Sequence, residues 1–84
     1  MSYFVYILRC GDDTLYTGST DNVERRLAVH QSGKGAKYTR SRHPLTLVYR
    51  EEVEDKGAAL KREAAIKKLT RTQKLELIKE NPLE

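Results

Sequence analysis

Cysteine is nearly absent from this chain: Cys10 stands alone among 84 residues. One thiol excludes an internal disulfide framework and a cysteine-rich zinc site. The plainest reading of Cys10 is a small, semi-buried residue at a strand end, and a reducing cytoplasm is the expected compartment. Long hydrophobic runs are missing too. The apolar stretch from Met1 to Leu8 is too short to span a membrane. It lacks the flanking basic segment and small-residue cleavage site of a signal peptide, and is expected to be a strand. No internal repeat, low-complexity tract or linker interrupts the sequence, which predicts a single domain over residues 1–84. A chain of this length buries only about 60% of its unfolded surface, so few charges can be hidden.

What is present is polar and mildly basic. The composition is 38% hydrophobic and 33% charged, yet Val, Ile and Leu recur with clear periods, which argues against disorder. The net charge of +4 favours polyanionic partners such as nucleic acid, although an excess of this size is shared by many soluble domains.

The chain divides into short elements. Tyr3 to Arg9 is rich in aromatic and β-branched residues and reads as a buried strand. Gly11-Asp12-Asp13 supplies turn chemistry, and Leu15 to Ser19 returns as the second strand of a hairpin. A three-residue loop sets Cys10 against Thr14 and Tyr6 against Gly18, so that Tyr6 and Tyr16 project from one face. Asp21 and Glu24 have capping-box spacing, and a helix is expected from about Asn22 to Gln31. Within it Val23 and Leu27 form a short apolar stripe, and Arg26 and His30 lie one turn apart.

Gln31 to Pro44 has no amphipathic period and carries Lys34, Lys37, Arg40 and Arg42 with Tyr38 among them: a basic loop. A third strand follows from Leu45 to Tyr49, extendable to Val53, with Glu54 to Gly57 breaking it. Ala58 to Leu69 reads as a helix with Leu60, Ala64, Ala59 and Ile66 on one side. Thr70 and Gln73 box the start of a last helix that Leu75 and Ile78 would pin to the core, and Asn81-Pro82 ends it. The order is ββαβαα.

Several residues carry chemistry beyond packing. A tyrosine on a small sheet is ordinarily a packing residue with its hydroxyl at the edge. Two converging on one face beside Gly18 are less ordinary, because glycine inside a strand often marks close approach. The Arg26 guanidinium offers a bidentate grip on a phosphate, and the His30 imidazole titrates near neutral pH. Glu63 falls inside the apolar stripe of its helix. A carboxylate there pairs, for example with Lys67, reaches water at the stripe's edge, or coordinates a metal. One carboxylate completed by waters and phosphate oxygens is a familiar way to hold Mg²⁺.

Val5-Tyr6-Ile7 followed by Tyr16-Thr17-Gly18 resembles the signature of the GIY-YIG family. The similarity continues in order through Ser19-Thr20, Arg26 and His30 to Glu63, over nearly the whole chain. Gly35-Ala36-Lys37-Tyr38-Thr39-Arg40 and Leu47-Val48-Tyr49 are similar to segments of the small bacterial proteins made of this domain alone. The resemblance implies an α+β fold, a three-stranded antiparallel sheet flanked by helices. It also implies metal-dependent hydrolysis of phosphodiesters, as in homing endonucleases, restriction enzymes and excision-repair incision subunits.

Carried over by position, Glu63 would hold one Mg²⁺ or Mn²⁺ ion and Arg26 would stabilise charge on the scissile phosphate. Tyr6 and Tyr16 would position or deprotonate the attacking water, Tyr6 being the better base candidate, with His30 accepting a proton from a tyrosine. DNA is the expected partner, in repair or processing. The chain departs from the signature at Phe4, Val5 and Thr17, where the family has Gly, Ile and Ile. Asn81 is not carried over as the family's late Asn, and within these 84 residues no room is expected for the separate DNA-binding domain of many family nucleases. A rival reading keeps the fold without catalysis, with Lys34, Lys37, Arg40 and Arg42 as phosphate contacts and Tyr38 as a stacking platform. A plain protein-interaction scaffold is the third.

Overall fold

The computed structural model describes residues 2–83. Strands β1 (Tyr3–Arg9) and β2 (Leu15–Thr20) form the hairpin. They are followed by α1 (Val23–Gln31), α2 (Lys37–Arg40), β3 (Thr46–Val53), α3 (Lys56–Lys67) and α4 (Arg71–Glu80). The strands make one antiparallel sheet in the order β2-β1-β3. The expected α+β architecture is therefore the observed one, with a one-turn helix, α2, added inside the basic loop. Among the described residues no helix is long and apolar enough to cross a membrane.

The hairpin turn sets the register. Cys10 N–H donates to Thr14 O at 2.8 Å, and Asp13 adopts φ 67°, the left-handed region that Asp tolerates better than most residues. The Asp12 carboxylate accepts from the backbone N–H of Thr14 at 3.2 Å and from its hydroxyl at 2.6 Å. Tyr6 consequently pairs with Gly18 and Leu8 with Tyr16, the register expected from the three-residue loop.

The β1–β3 pairing contains a bulge that the sequence does not announce. Ile7 pairs with Tyr49, but Leu8 pairs with Leu47, leaving Val48 as an extra residue on β3. Residues 47 and 49 would share a face of a regular strand. The bulge instead sends Tyr49 to the face of Val5 and Ile7, and Leu47 to the face of Tyr6 and Leu8. On the first face Val5, Ile7 and Tyr49 pack against Ala59 and Ile66 of α3, with Leu77 and Ile78 of α4 at the margin. On the second, Tyr6, Leu8, Cys10 and Leu45 pack with Tyr16, Leu27 and Leu47. The sheet thus separates an apolar layer under α3 and α4 from a more polar layer under α1 and α2.

Four local expectations are corrected. The cap of α1 is Asn22, whose side chain accepts from Arg25 N–H at 3.0 Å; Asp21 instead pairs with the Arg25 guanidinium one turn on. Helix α3 starts earlier than expected because Asp55 caps it through Ala58 N–H at 2.8 Å. Its buried stripe runs through Ala59 and Ile66, while Leu60 is 52% exposed and Ala64 faces water. A helix of period 3.6 puts residues 59, 62, 63 and 66 on one side, which draws Arg62 and Glu63 toward the sheet. In α4, Leu77 and Ile78 are the half-buried apolar residues and Leu75 is exposed. The Thr70–Gln73 capping box forms in both directions.

Thr17 is buried on the α3 side of β2, and among the described residues its hydroxyl finds no hydrogen-bond partner. An unsatisfied buried hydroxyl costs about 1–3 kcal/mol. Thr17→Val keeps the β-branched shape and removes that hydroxyl, so it should stabilise the fold by about 1 kcal/mol, worth about 4–8 °C in Tm for a domain of this size. Thermal denaturation followed by circular dichroism measures this, and a lower Tm would mean that the hydroxyl is satisfied in solution.

Candidate active site

The site starts at Gly18. A Cβ there would lie 2.5 Å from the Tyr6 hydroxyl, so the absence of a side chain on β2 gives the Tyr6 phenol its place. On α1, residues 23, 26, 27 and 30 recur at i, i+3, i+4 and i+7 and all turn toward the sheet. His30 therefore does not project from an exposed face: it is 0% exposed. Its Nε2 lies 2.9 Å from the Tyr6 hydroxyl, and its Nδ1 lies 2.9 Å from Oγ1 of Thr39 on α2. Thr39, also 0% exposed, donates its hydroxyl hydrogen to Ala36 O at 2.9 Å.

Tyr16 covers the imidazole from the side, edge-on at 5.4 Å between ring centroids, and stacks on Tyr38 at 5.8 Å. The guanidinium of Arg42 lies 4.0 Å from the Tyr38 centroid. Tyr38 thus packs with both Tyr16 and Arg42 while keeping 38% of its surface exposed. Arg42 also pairs with Asp12 at 3.0 Å, and Arg42 O accepts from Gly11 N–H, so the basic loop is fastened to the hairpin turn. Lys34, Lys37 and Arg40 are exposed, and among the described residues they form no ion pair.

Arg26 stands beside the Tyr6 hydroxyl, half-buried, and among the described residues it too makes no ion pair. Burial raises the Tyr6 phenol above its usual 10; Arg26 pulls the other way, and Tyr16 and Glu63 add to the rise. Burial, followed by the charge of Arg26, holds the His30 imidazole below its usual 6.5. Both groups are therefore neutral near pH 7, with the proton on Tyr6.

Glu63 approaches from the other side of the sheet, at the β2 edge. It accepts from the Ser19 hydroxyl at 2.6 Å and pairs with Lys67 Nζ at 2.7 Å, with 17% of its side chain exposed. Burial pushes its carboxyl up, but the hydrogen bonds from Lys67 and Ser19 outweigh this and hold it below 4.5. Among the described residues no cluster of three His, Cys, Asp or Glu side chains forms. The donor set is one ionised oxygen ligand already facing a cation. That fits a hard ion such as Mg²⁺ or Mn²⁺, which keeps most of its waters, and does not fit zinc.

The structure thus joins Tyr6, Tyr16, Arg26 and His30 in one group and sets Glu63 at its margin. It gathers Tyr38 and Arg42 into the packing beside that group, and leaves Lys34, Lys37 and Arg40 in solvent. Thr39, Gly35 and Ser19 were not singled out from the sequence. The only signal for the first two was their place in the segment similar to the single-domain proteins.

Comparison with known proteins bears on this geometry. The model of the family described as GIY-YIG catalytic domain matches residues 2–76. A UPF0213 protein of Syntrophus aciditrophicus is 60% identical over 80 residues, covering 94% of this chain and 92% of that one. One of Natronomonas pharaonis is 54% identical over 76 residues, covering 90% and 89%. The solution NMR structure of the UPF0213 protein BH0048 from Bacillus halodurans is 46% identical and superposes with a TM-score of 0.61, covering 94% of this chain and 84% of that one. That of the E. faecalis protein EF2693 gives a TM-score of 0.65 at the same identity and coverage.

The depressed His30 pKa has a consequence for stability. The unfolded chain takes up a proton near 6.5 while the folded protein resists it. The contribution is therefore present above pH 6.5 and lost as the pH falls through the lower folded value. The carboxylates with lowered pKa, Asp12, Glu24 and Glu63, titrate below 4.5 and stay out of this window. Urea denaturation at pH 7.5 and 5.0 should show a larger loss of stability in the parent protein than in His30→Gln. Equal losses would show that His30 is not held neutral.

Proposed function

The chain belongs to the GIY-YIG catalytic-domain family, and from that premise we propose that it hydrolyses phosphodiester bonds of nucleic acid, DNA foremost, with one divalent cation. The observation that carries this reading is the buried Tyr6–His30 hydrogen bond beside the unpaired Arg26 guanidinium. A purely structural tyrosine needs neither a neutral imidazole nor a desolvated cation at its hydroxyl.

Tyr6 works as a proton relay. Its Oη takes a proton from the attacking water as it passes its own proton to His30 Nε2, so phenolate never accumulates in a site that disfavours it. Tyr16, half-buried and against the imidazole, orients the water. The water oxygen bonds to phosphorus, the bond to the leaving oxygen breaks, and that oxygen takes a proton from solvent. Arg26 offsets the charge on the phosphate oxygens. Glu63, with Ser19 holding one of its oxygens, would bind the cation in place of the Lys67 ammonium. When bound, the cation supplies positive charge at the scissile phosphate. Lys34, Lys37 and Arg40 contact the backbone on either side, without reading bases.

A non-catalytic binding module remains the second reading, and the Glu63–Lys67 ion pair favours it, because a carboxylate so paired has no need of a metal. Cleavage of branched, nicked and single-stranded substrates, with Mg²⁺ or Mn²⁺ omitted and restored, separates the two. Metal-dependent cleavage should fall by about 10²–10⁴ in Tyr6→Phe and about 10²–10³ in Arg26→Ala, and should vanish in Glu63→Ala. Undiminished cleavage by Glu63→Ala would remove the metal assignment. Salt-sensitive binding without cleavage would establish the module instead. Under either reading, removing the charges of Lys34, Lys37 and Arg40 should flatten the dependence of log K on log salt by about 0.7–0.9 per cation. Titrations at several salt concentrations read this slope, and an unchanged slope would take these three residues out of the interface.

A further inference from the structure

We propose that Thr39 is a positioning residue that fixes His30 in the Nδ1–H tautomer and so turns the Nε2 lone pair toward the Tyr6 hydroxyl. The inference deepens the relay described above and rests on that reading for its catalytic consequence, but not for its structural content.

The hydrogen bookkeeping starts at both ends of the chain Tyr6–His30–Thr39. At one end, the Thr39 hydroxyl donates its single hydrogen to Ala36 O at 2.9 Å. Toward His30 Nδ1, 2.9 Å away, it can then only accept, so Nδ1 carries the proton. At the other end, the Tyr6 hydroxyl has His30 Nε2 at 2.9 Å and the Arg26 guanidinium beside it. A guanidinium is a donor only, so Nε2 is the acceptor for the phenol hydrogen.

The opposite arrangement, with Thr39 donating to Nδ1 and Nε2–H donating to Tyr6, leaves the phenol hydrogen without an acceptor among the described residues. With Tyr6 2% exposed, such an orphaned group is costly. The two ends therefore agree on one tautomer and hold it jointly, since without the Thr39 acceptor a buried Nδ1–H would itself be left unsatisfied. It is the tautomer less favoured by a histidine side chain in water, so the protein must hold it.

The loop is shaped for this. A Cβ on Gly35 would overlap Nδ1 and the Cα of His30, so only glycine lets the chain pass this close to the ring. Thr39 N–H also bonds to Ala36 O, at 3.0 Å, which closes the single turn of α2 and aims the threonine side chain inward. In a buried pair of this kind, a wrong tautomer presents N–H to the phenol and stops it from unloading its proton, even though every heavy atom is in place. In a serine-protease triad, the wrong tautomer costs about 10⁴ in kcat. A neutral hydroxyl partner is worth less, on the order of 10- to 100-fold.

The test reads the tautomer directly, by long-range ¹H–¹⁵N correlation NMR of the His30 ring in the intact protein above pH 7, alongside cleavage kinetics. The expected result is a protonated Nδ1 and an unprotonated Nε2 in the parent protein. Thr39→Val should shift the ring toward Nε2–H or a mixture and lower kcat about 10- to 100-fold with little change in KM. Thr39→Ser should restore both. An Nε2–H ring in the parent protein overturns the proposal, and so does an unshifted tautomer in Thr39→Val. If Thr39→Val does not fold, the parent spectrum and Thr39→Ser still decide it, since serine must reproduce the Nδ1–H ring. Absence of cleavage by the parent protein over the whole substrate panel overturns the nuclease reading alone, and the ring nitrogens still support or refute the tautomer lock.

Discussion

The hydrogen bond between Tyr6 and His30 crosses from the central strand to the first helix in a place almost closed to solvent. A polar contact in such a place has to be complete, because a missing partner leaves a buried donor or acceptor unsatisfied at about 1–3 kcal/mol. Completion constrains the surroundings one after another. Gly18 must lack a side chain, so β2 must present it opposite Tyr6, which the three-residue turn ensures. Helix α1 must be phased so that residue 30 faces the sheet. The loop beyond it must come close enough for Thr39 to meet the far side of the ring, which Gly35 permits. Turn length, helix phase and loop path, set by separate stretches of sequence, are tied together through one imidazole.

The sheet divides labour between its faces. Beneath α3 the packing is apolar, through Val5, Ile7, Tyr49, Ala59 and Ile66, and this layer provides most of the hydrophobic stabilisation open to a chain of 84 residues. Beneath α1 and α2, Leu8, Leu27, Leu45 and Leu47 pack together with two tyrosines and a histidine that carry polar atoms into the interior. The Val48 bulge makes the division possible, since without it Leu47 and Tyr49 would compete for one face. Glu63 is the exception that links the layers. It rides on the apolar side of α3, yet it reaches the β2 edge, where its charge is felt at Tyr6.

What the sequence could reveal followed from local periodicity. The odd-numbered loop of residues 11–13 was enough to bring Tyr6 and Tyr16 to one face, and Thr70 with Gln73 marked the start of α4 without ambiguity. Leu60 and Leu75 misled because leucine is taken for core, whereas in so small a domain helix phase is decided by what fits against the sheet, here Ala59, Ile66, Leu77 and Ile78. The one-turn spacing of Arg26 and His30 put them on one helix face but said nothing of their depth, and the first is half-buried and the second fully so. Thr39 was illegible for a different reason. Its significance lies in which way one hydroxyl hydrogen points, and that is settled by Ala36 O and His30 Nδ1, contacts that no spacing rule encodes.

The directions of the two pKa shifts bear on why a cation would be needed at all. Burial raises the Tyr6 phenol and lowers the His30 imidazole, so in the resting protein the proton stays on oxygen and the pair carries no charge. That arrangement suits an interior, where a phenolate–imidazolium pair would be costly to desolvate. In the proposed reaction it also means that transfer from Tyr6 to His30 is uphill until a water hands Tyr6 another proton. Only charge introduced at the substrate can favour that step. Arg26 provides one positive centre beside the hydroxyl, and Glu63 keeps an ionised oxygen ready for a second, with Lys67 holding its place. The Tyr6–His30 pair built this way stays neutral without substrate, and under the proposed reading it would gain its driving force only when phosphate and cation arrive together.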